Sequence, residues 1–298
     1  MNIDLTMSSE LHAHNQPWAL PLPLTFALAL VAVVYLRGWF RLRGDSPNLV
    51  SLWRVAAFMF GLFFLWMVVG SPLSALDHEL LTVHMINHLV LMVVVAPLLL
   101  AGAPGLLLLR GLPASFGHGL HDLLLRNLPA QRLGRLLKHP VFCWLWATAT
   151  VIGWHLPATF QLAMRSHWWH NAEYASFMLA GLLFWRPVVQ PVSAAQQRPR
   201  WSTPLYLFSA TLPCDILSAF LVFCGRVVYP SYLSSPRLFD FLPLQDQQCA
   251  GALMWVCVTF AYLLPAMVIT MRILSPREAE RDSRPPLPSL NDSQAEIV

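Results

Sequence analysis

Residues 52–70 read LWRVAAFMFGLFFLWMVVG, an apolar run whose only charge is Arg54, near its start. A helix crossing the hydrocarbon core of a bilayer needs about 20 mostly apolar residues. Six further stretches meet that requirement, at about 18–37, 79–102, 140–160, 171–191, 204–224 and 248–273. Those at 79–102 and 171–191 are the weakest, since each begins with polar residues. The runs lack alternation and are too long for barrel strands. The fold class predicted is therefore all-α, a polytopic membrane bundle of seven transmembrane helices. Composition agrees: charged residues are 11% of the 298 and hydrophobic ones 56%. A soluble domain carries about 25% charge. Mean hydropathy is +0.54. A water-soluble fold cannot hide that much apolar surface, and disordered chains are poor in apolar residues. The partner such a composition implies is the lipid bilayer, not nucleic acid.

The basic residues set the orientation. With the N-terminus outside, the inner connections hold 16 of the 19 Lys and Arg; only Arg165, Arg226 and Arg237 lie outside. The positive-inside rule predicts such a split, so the C-terminus is expected inside. Residues 1–17 form an outer N-terminal segment without Lys or Arg, hence without the basic region of a cleavable signal peptide. Residues 18–273 make the membrane domain. GlyAlaProGly at 102–105 breaks the third helix, and about 105–138 reads as interfacial helices mixing Leu with Arg. The polar, proline-bearing tail 274–298 is expected to be disordered and cytoplasmic.

This topology sorts the reactive side chains by depth. His84 and His88, spaced i,i+4, point the same way near the outer face, and Met92 extends the stripe one turn deeper. His155 lies near the outer end of the fourth helix. His167, His170 and Glu173 lead into the fifth. Asp246 opens the seventh, with Met254 about two turns in. Cys214 and Asp215 fall near the middle of the sixth, and Cys224 and Cys249 at outer helix ends. Polar groups within membrane helices are costly and mark function by default. Imidazole, thioether and thiolate suit copper, particularly Cu(I); zinc more typically shows four clear Cys/His ligands. The competing readings are hydrogen-bonded histidines packing between helices, packing methionines, solvated loop histidines and, for Cys224 with Cys249, a disulfide. Motifs for a serine nucleophile, phosphate loop, metalloprotease or dinucleotide site are missing, so no enzymatic activity is expected.

His84-Met85-Ile86-Asn87-His88-Leu89 leads into Ala96-Pro97 and the 98–104 segment; Trp154-His155-Leu156-Pro157, His170 ahead of Gly181-Leu182-Leu183-Phe184-Trp185, Leu212-Pro213 and Asp246-Gln247-Gln248-Cys249-Ala250-Gly251 through Met254-Trp255 follow in order. Over about residues 50–273 this resembles the CtaG family of cytochrome c oxidase assembly factors, the caa3-type group. The resemblance implies a multi-pass bacterial inner-membrane protein needed to assemble haem–copper oxidase. It also implies copper delivery to the oxidase, with the catalytic subunit as client and a periplasmic copper donor upstream. Its motif residues here are His84, His88, His155, His170, Asp246 and Met254. Tyr174 stands where many relatives carry a second histidine.

The expected site is an outward-facing Cu(I) site with His84 and His88 as primary ligands, completed by His155 or His170 and assisted by Met92 or Met254. Asp246 and Glu173 would orient the imidazoles, with Asp215 and His167 in support and Cys214, Cys224 and Cys249 as candidate thiol ligands. The alternatives left open are a haem-binding electron carrier, a copper transporter and a metal-free chaperone.

Overall fold

The computed structural model describes residues 21–45, 51–71, 76–113, 134–190, 201–233 and 241–275. The expected outer segment 1–17, most of the interfacial stretch with His118 and His121, and the tail beyond 275 lie outside the described residues. Among those described there are helices and turns but no strand.

Helix α1 (Leu22–Asp45) is followed by α2 (Leu52–Gly70). The third span is composite: α3 (Leu81–Leu89), a π turn over Val90–Val95, and α4 (Ala96–Ala101). A short α5 (Pro104–Gly111) follows. Then come α6 (Pro140–His155), α7 (Pro157–Arg165) and α8 (His167–Val189). The last elements are α9 (Ser202–Phe223), a 3-10 turn at Pro230–Leu233, and α10 (Pro243–Leu274). Five of these units are long and apolar enough to cross a bilayer, and a sixth is if α6 and α7 form one bent span. The expected fifth span is α8. At 23 residues it is about 34 Å long, but His167, His170, Asn171 and Glu173 make its first two turns too polar to qualify by composition. The lipid-directed character is plain on the outer faces: Phe26 is 72%, Ile216 72% and Phe223 77% exposed. A soluble surface does not display apolar side chains so densely. The chain is a multi-pass membrane protein.

Two proline effects shape the interior. The fourth helix was expected to run to about 160, but it stops at His155 and turns by 74° into α7. Pro157 has no N–H to continue the ladder and disfavours helical geometry at Leu156, which adopts φ −66°, ψ 134°. In the third span Pro97 cannot bond back to Val93, and its ring crowds that carbonyl. The π turn precedes it, with the Ala96 N–H bonded five residues back to the Leu91 carbonyl. The Met92 carbonyl accepts a bond from the Trp185 indole at 3.0 Å. Gly181 permits this approach, because a Cβ there would lie 2.8 Å from the Ala96 Cβ and 3.0 Å from the Met92 carbonyl oxygen. The third span is thus locked against α8, inside the larger of the main core clusters.

The break after the third span falls where the sequence puts it. Gly102 ends α4, Ala103 takes a left-handed conformation (φ 47°) and Pro104 opens α5. The Tyr35 hydroxyl donates to the Gly102 carbonyl at 2.8 Å, satisfying a helix-end acceptor.

Candidate metal centre

The start of α3 is held from across the bundle. The Asp246 carboxylate, in the first turn of α10, accepts from the Leu81 N–H at 2.6 Å, the Thr82 N–H at 3.1 Å and the Thr82 hydroxyl at 2.6 Å. These are the orphan donors of a helix N-terminus, and a carboxylate is their natural acceptor. Just upstream, residues 76–78 form a 3-10 turn that aims Asp77 back at the helix. The Tyr232 hydroxyl donates to the Asp77 carbonyl at 3.0 Å and holds that turn. His84 and His88 then project from one face of α3, ring centroids 4.3 Å apart, toward α8.

The resulting layer is built of oxygen and nitrogen. Asp77, His84 and Glu173 are fully buried, and His88 and His170 nearly so. Asp77 Oδ1 lies 2.8 Å from His84 Nδ1, and Asp77 Oδ2 lies 2.8 Å from His170 Nε2. The Tyr174 hydroxyl donates to Oδ2 at 2.6 Å and accepts from the Asn87 amide at 2.9 Å. Burial alone would raise the Asp77 carboxyl, but the electrostatic contact with His84 and the bonds from His170 and Tyr174 hold it well below the usual carboxylate range.

Glu173 Oε1 sits 3.4 Å from both His84 Nε2 and His88 Nε2. That is long for a hydrogen bond. It is the spacing between two ligand atoms of a tetrahedral ion with bonds of about 2.1 Å, which comes to about 3.4 Å. Two triads, Asp77/His84/His170 and His84/His88/Glu173, bring a ligand atom from each member within 4.8 Å of the others. The pattern of unmet bonding is concentrated here. Asp77 Oδ1, both ring nitrogens of His84 and of His88, and both Glu173 oxygens are buried without a hydrogen bond of acceptable geometry. The Asp77–His84 contact is close in distance but misaligned, an electrostatic contact and not a hydrogen bond. Buried polar groups are normally paired, and here seven fail around one imidazole. A neutral imidazole has one N–H and an imidazolium two, yet neither flanking carboxylate receives a well-formed hydrogen bond from His84. Positive charge among these atoms, as the second proton of His84 or as a metal ion, would balance the carboxylates.

Below this layer the chemistry changes to sulfur. A cavity of ≈ 20 Å³ is lined by Met85, His88, Met92, His155, Cys214 and Met254 with apolar neighbours. Its imidazoles are set by specific contacts. His88 stacks on Phe177 at 4.0 Å and 17°. His155 Nδ1 is 2.7 Å from the Val151 carbonyl, and its Nε2 is 3.2 Å from the Met85 sulfur.

The sequence-predicted residues divide accordingly. His84, His88, His170 and Glu173 meet in the upper layer; His155, Met92, Met254 and Cys214 line the lower one, with His88 common to both. Asp246 does not reach the imidazoles expected of it, because its oxygens are taken by the start of α3. His167 is exposed at the start of α8, one turn too early to face inward. Asp215 contacts Thr259 at 3.4 Å instead of the cluster. Cys224 and Cys249 are free thiols, part-buried and exposed respectively, so the alternative of a disulfide does not hold. Sequence reasoning missed Asp77 altogether, assigned Met85 to packing and gave Tyr174 no part. Asp77 had one usable signal, its place seven residues, two turns, before His84.

A profile of the family described as cytochrome c oxidase caa3 assembly factor matches residues 33–275. Curated relatives include an uncharacterized protein of Mycobacterium bovis, 24% identical over 263 residues, and an uncharacterized protein of Mycobacterium leprae, 22% identical over 260 residues. Each match covers 86% of this chain and 38% of the relative, so the chain spans well under half the length of these proteins. No solved structure matches. The matched region runs from within α1 to the end of α10 and includes Asp77, His84, His88, His170, Glu173 and the sulfur-lined cavity. The chain belongs to the CtaG family, the cytochrome c oxidase caa3 assembly factors.

Proposed function

We propose that this assembly factor acts by binding copper in the outer half of the membrane and handing it to the haem–copper oxidase, without catalysing a reaction of its own. The observation that carries the reading is the set of buried, unpaired nitrogen and oxygen atoms on Asp77, His84, His88 and Glu173. In this reading His84 Nε2, His88 Nε2 and Glu173 Oε1 are the ligands. Asp77 holds His84 from its other nitrogen, as carboxylates commonly do for metal-bound histidine. His170 and Tyr174 hold Asp77. The roles anticipated for Glu173 and His170 are thereby exchanged. Copper here is cargo, so an incomplete ligand shell is an advantage.

The oxidase catalytic subunit is the client, and a periplasmic copper protein is the donor. The chain sits in a bacterial inner membrane with seven spans, α8 among them, and its N-terminus outside. The placement of 16 of 19 basic residues supports that orientation. Haem is disfavoured by size, since the cavity beside the histidines is ≈ 20 Å³, room for about one water-sized species. Transport across the membrane is disfavoured because the lining one and two turns past Met254 on α10 is Val258 and Tyr262, which add no further thioether, thiol or imidazole.

The test is metal content together with oxidase assembly. Cells carrying His84→Ala/His88→Ala should accumulate the protein in the membrane, purify it with less copper than the wild type, and yield oxidase lacking copper in its catalytic subunit. Unchanged copper stoichiometry in the variant would sink the assignment.

A further inference from the structure

The cavity under the imidazole–carboxylate layer has no part in the reading above, which rests on the nitrogen and oxygen atoms one turn higher. Three thioethers, one thiol and two imidazoles face it: Met85, Met92, Met254, Cys214, His88 and His155. Packing alone accounts poorly for this set. Methionine is a common gap filler, but a dry core does not ordinarily collect imidazoles beside thioethers, and polar groups at this depth are expensive.

The histidines are prepared for a ligand. A carbonyl only accepts, so the 2.7 Å contact with Val151 places the His155 proton on Nδ1. Nε2 therefore carries its lone pair, and it lies 3.2 Å from the Met85 sulfur. Metal-bound histidine characteristically donates its second nitrogen to such an acceptor. His88 is 4% exposed and neither of its nitrogens is hydrogen-bonded. Met92 is fixed by the π turn, whose carbonyl Trp185 holds, and by Gly181 beneath it.

We propose that this chamber is a second metal site, specific for Cu(I), separate from the carboxylate-bearing layer and sharing His88 with it. Soft sulfur and neutral nitrogen suit a monovalent, low-coordinate copper ion, whereas carboxylate with imidazole suits divalent ions. The volume fits one ion and excludes a hydrated divalent cation. Cys214 need not ionise, because the thioethers and His155 Nε2 suffice.

The full chain, purified in detergent, is titrated anaerobically with Cu(I) against a chromogenic Cu(I) chelator, and its copper is examined by X-ray absorption. Sulfur scatterers are expected in the wild-type copper shell. Met85→Leu/Met92→Leu/Met254→Leu, nearly volume-conserving changes, should remove them and weaken Cu(I) binding at least about tenfold. That variant should keep its binding of Co(II) in the upper layer, which also reports that it folds. Asp77→Asn/Glu173→Gln should do the reverse, losing Co(II) and keeping Cu(I). A wild-type copper shell without sulfur overturns the proposal, as does Cu(I) affinity unchanged in the methionine variant. If the triple variant does not fold, Met254→Leu alone must still weaken Cu(I). Loss of oxidase assembly plays no part in these readouts, so failure of the delivery reading and failure of the chamber are told apart.

Discussion

Replacing Asp77 by Asn separates a residue that orients a metal ligand from one that merely fills the core. The side chain keeps its shape and loses its charge. In the native protein its carboxylate meets His84 Nδ1 at 2.8 Å, His170 Nε2 at 2.8 Å and the Tyr174 hydroxyl at 2.6 Å. Removing the charge weakens the hold on His84 and the basicity of its Nε2. Loss of such an outer partner typically costs about 10–100-fold in metal affinity. Copper at about 100 times the native dissociation constant stabilises the wild type by about 2.7 kcal/mol. A variant bound about 100-fold more weakly gains only about 0.4 kcal/mol under the same conditions. The metal-free protein should respond less, since two buried carboxylates flank one imidazole there and neutralising one relieves a charge that lacks a counterion. Thermal unfolding in detergent, run with a copper chelator and with copper, measures both terms. With the sulfur-lined cavity disabled in both proteins by Met85→Leu/Met92→Leu/Met254→Leu, the copper-induced rise in Tm should largely vanish in Asp77→Asn, while the metal-free Tm moves little. A variant that loses equal stability with and without copper, and keeps the copper-induced rise, refutes the orienting role and leaves Asp77 a packing residue.

Asp246→Ala removes the acceptor for the first donors of α3 and should cost about 1–2 kcal/mol, seen as a lower Tm, while copper stoichiometry at saturating metal stays that of the wild type. Gly181→Val sets branched carbons against Ala96 and the Met92 backbone, where a Cβ already stands at 2.8–3.0 Å; it should destabilise by about 1–3 kcal/mol and weaken Cu(I) binding in chelator competition. His167→Ala, at an exposed position, should change stability by less than about 0.5 kcal/mol and leave copper content, measured by elemental analysis, unaltered.

Much of this architecture is written in local sequence, because helix periodicity is local. The i,i+4 pair His84/His88 follows from α3 alone, and hydropathy alone finds α1, α2, α9 and α10. What escaped depends on relations that periodicity does not carry. Asp77 sits in a turn outside any helix, and its partners His170 and Tyr174 lie 93 and 97 residues away. Asp246 was expected to orient the imidazoles, yet its acceptor oxygens turn to backbone N–H groups 164 and 165 residues away. Met85 follows His84 directly, so a wheel drawn on the histidines leaves it off the stripe. It faces inward as part of a second stripe, Met85, Leu89 and Met92, that lines the cavity. The bend at Leu156 was legible in Pro157; the π turn was only hinted at by Pro97.

The arrangement also bears on how a bound ion leaves. A closed shell of four protein ligands holds an ion as part of the structure, while an open position lets another donor enter. The layer around His84 places Glu173 Oε1 at 3.4 Å from both His84 Nε2 and His88 Nε2, and His170 is engaged by Asp77 at 2.8 Å. On the copper reading three ligands bind and one position stays open, so an acceptor's imidazole can join before a donor leaves and the ion never passes through a bare state. On the same reading His88 would be the ligand best suited to leave first. It is held by stacking on Phe177 and by no hydrogen bond, whereas His84 has Asp77 at its far nitrogen. A site built only to retain metal would have anchored both.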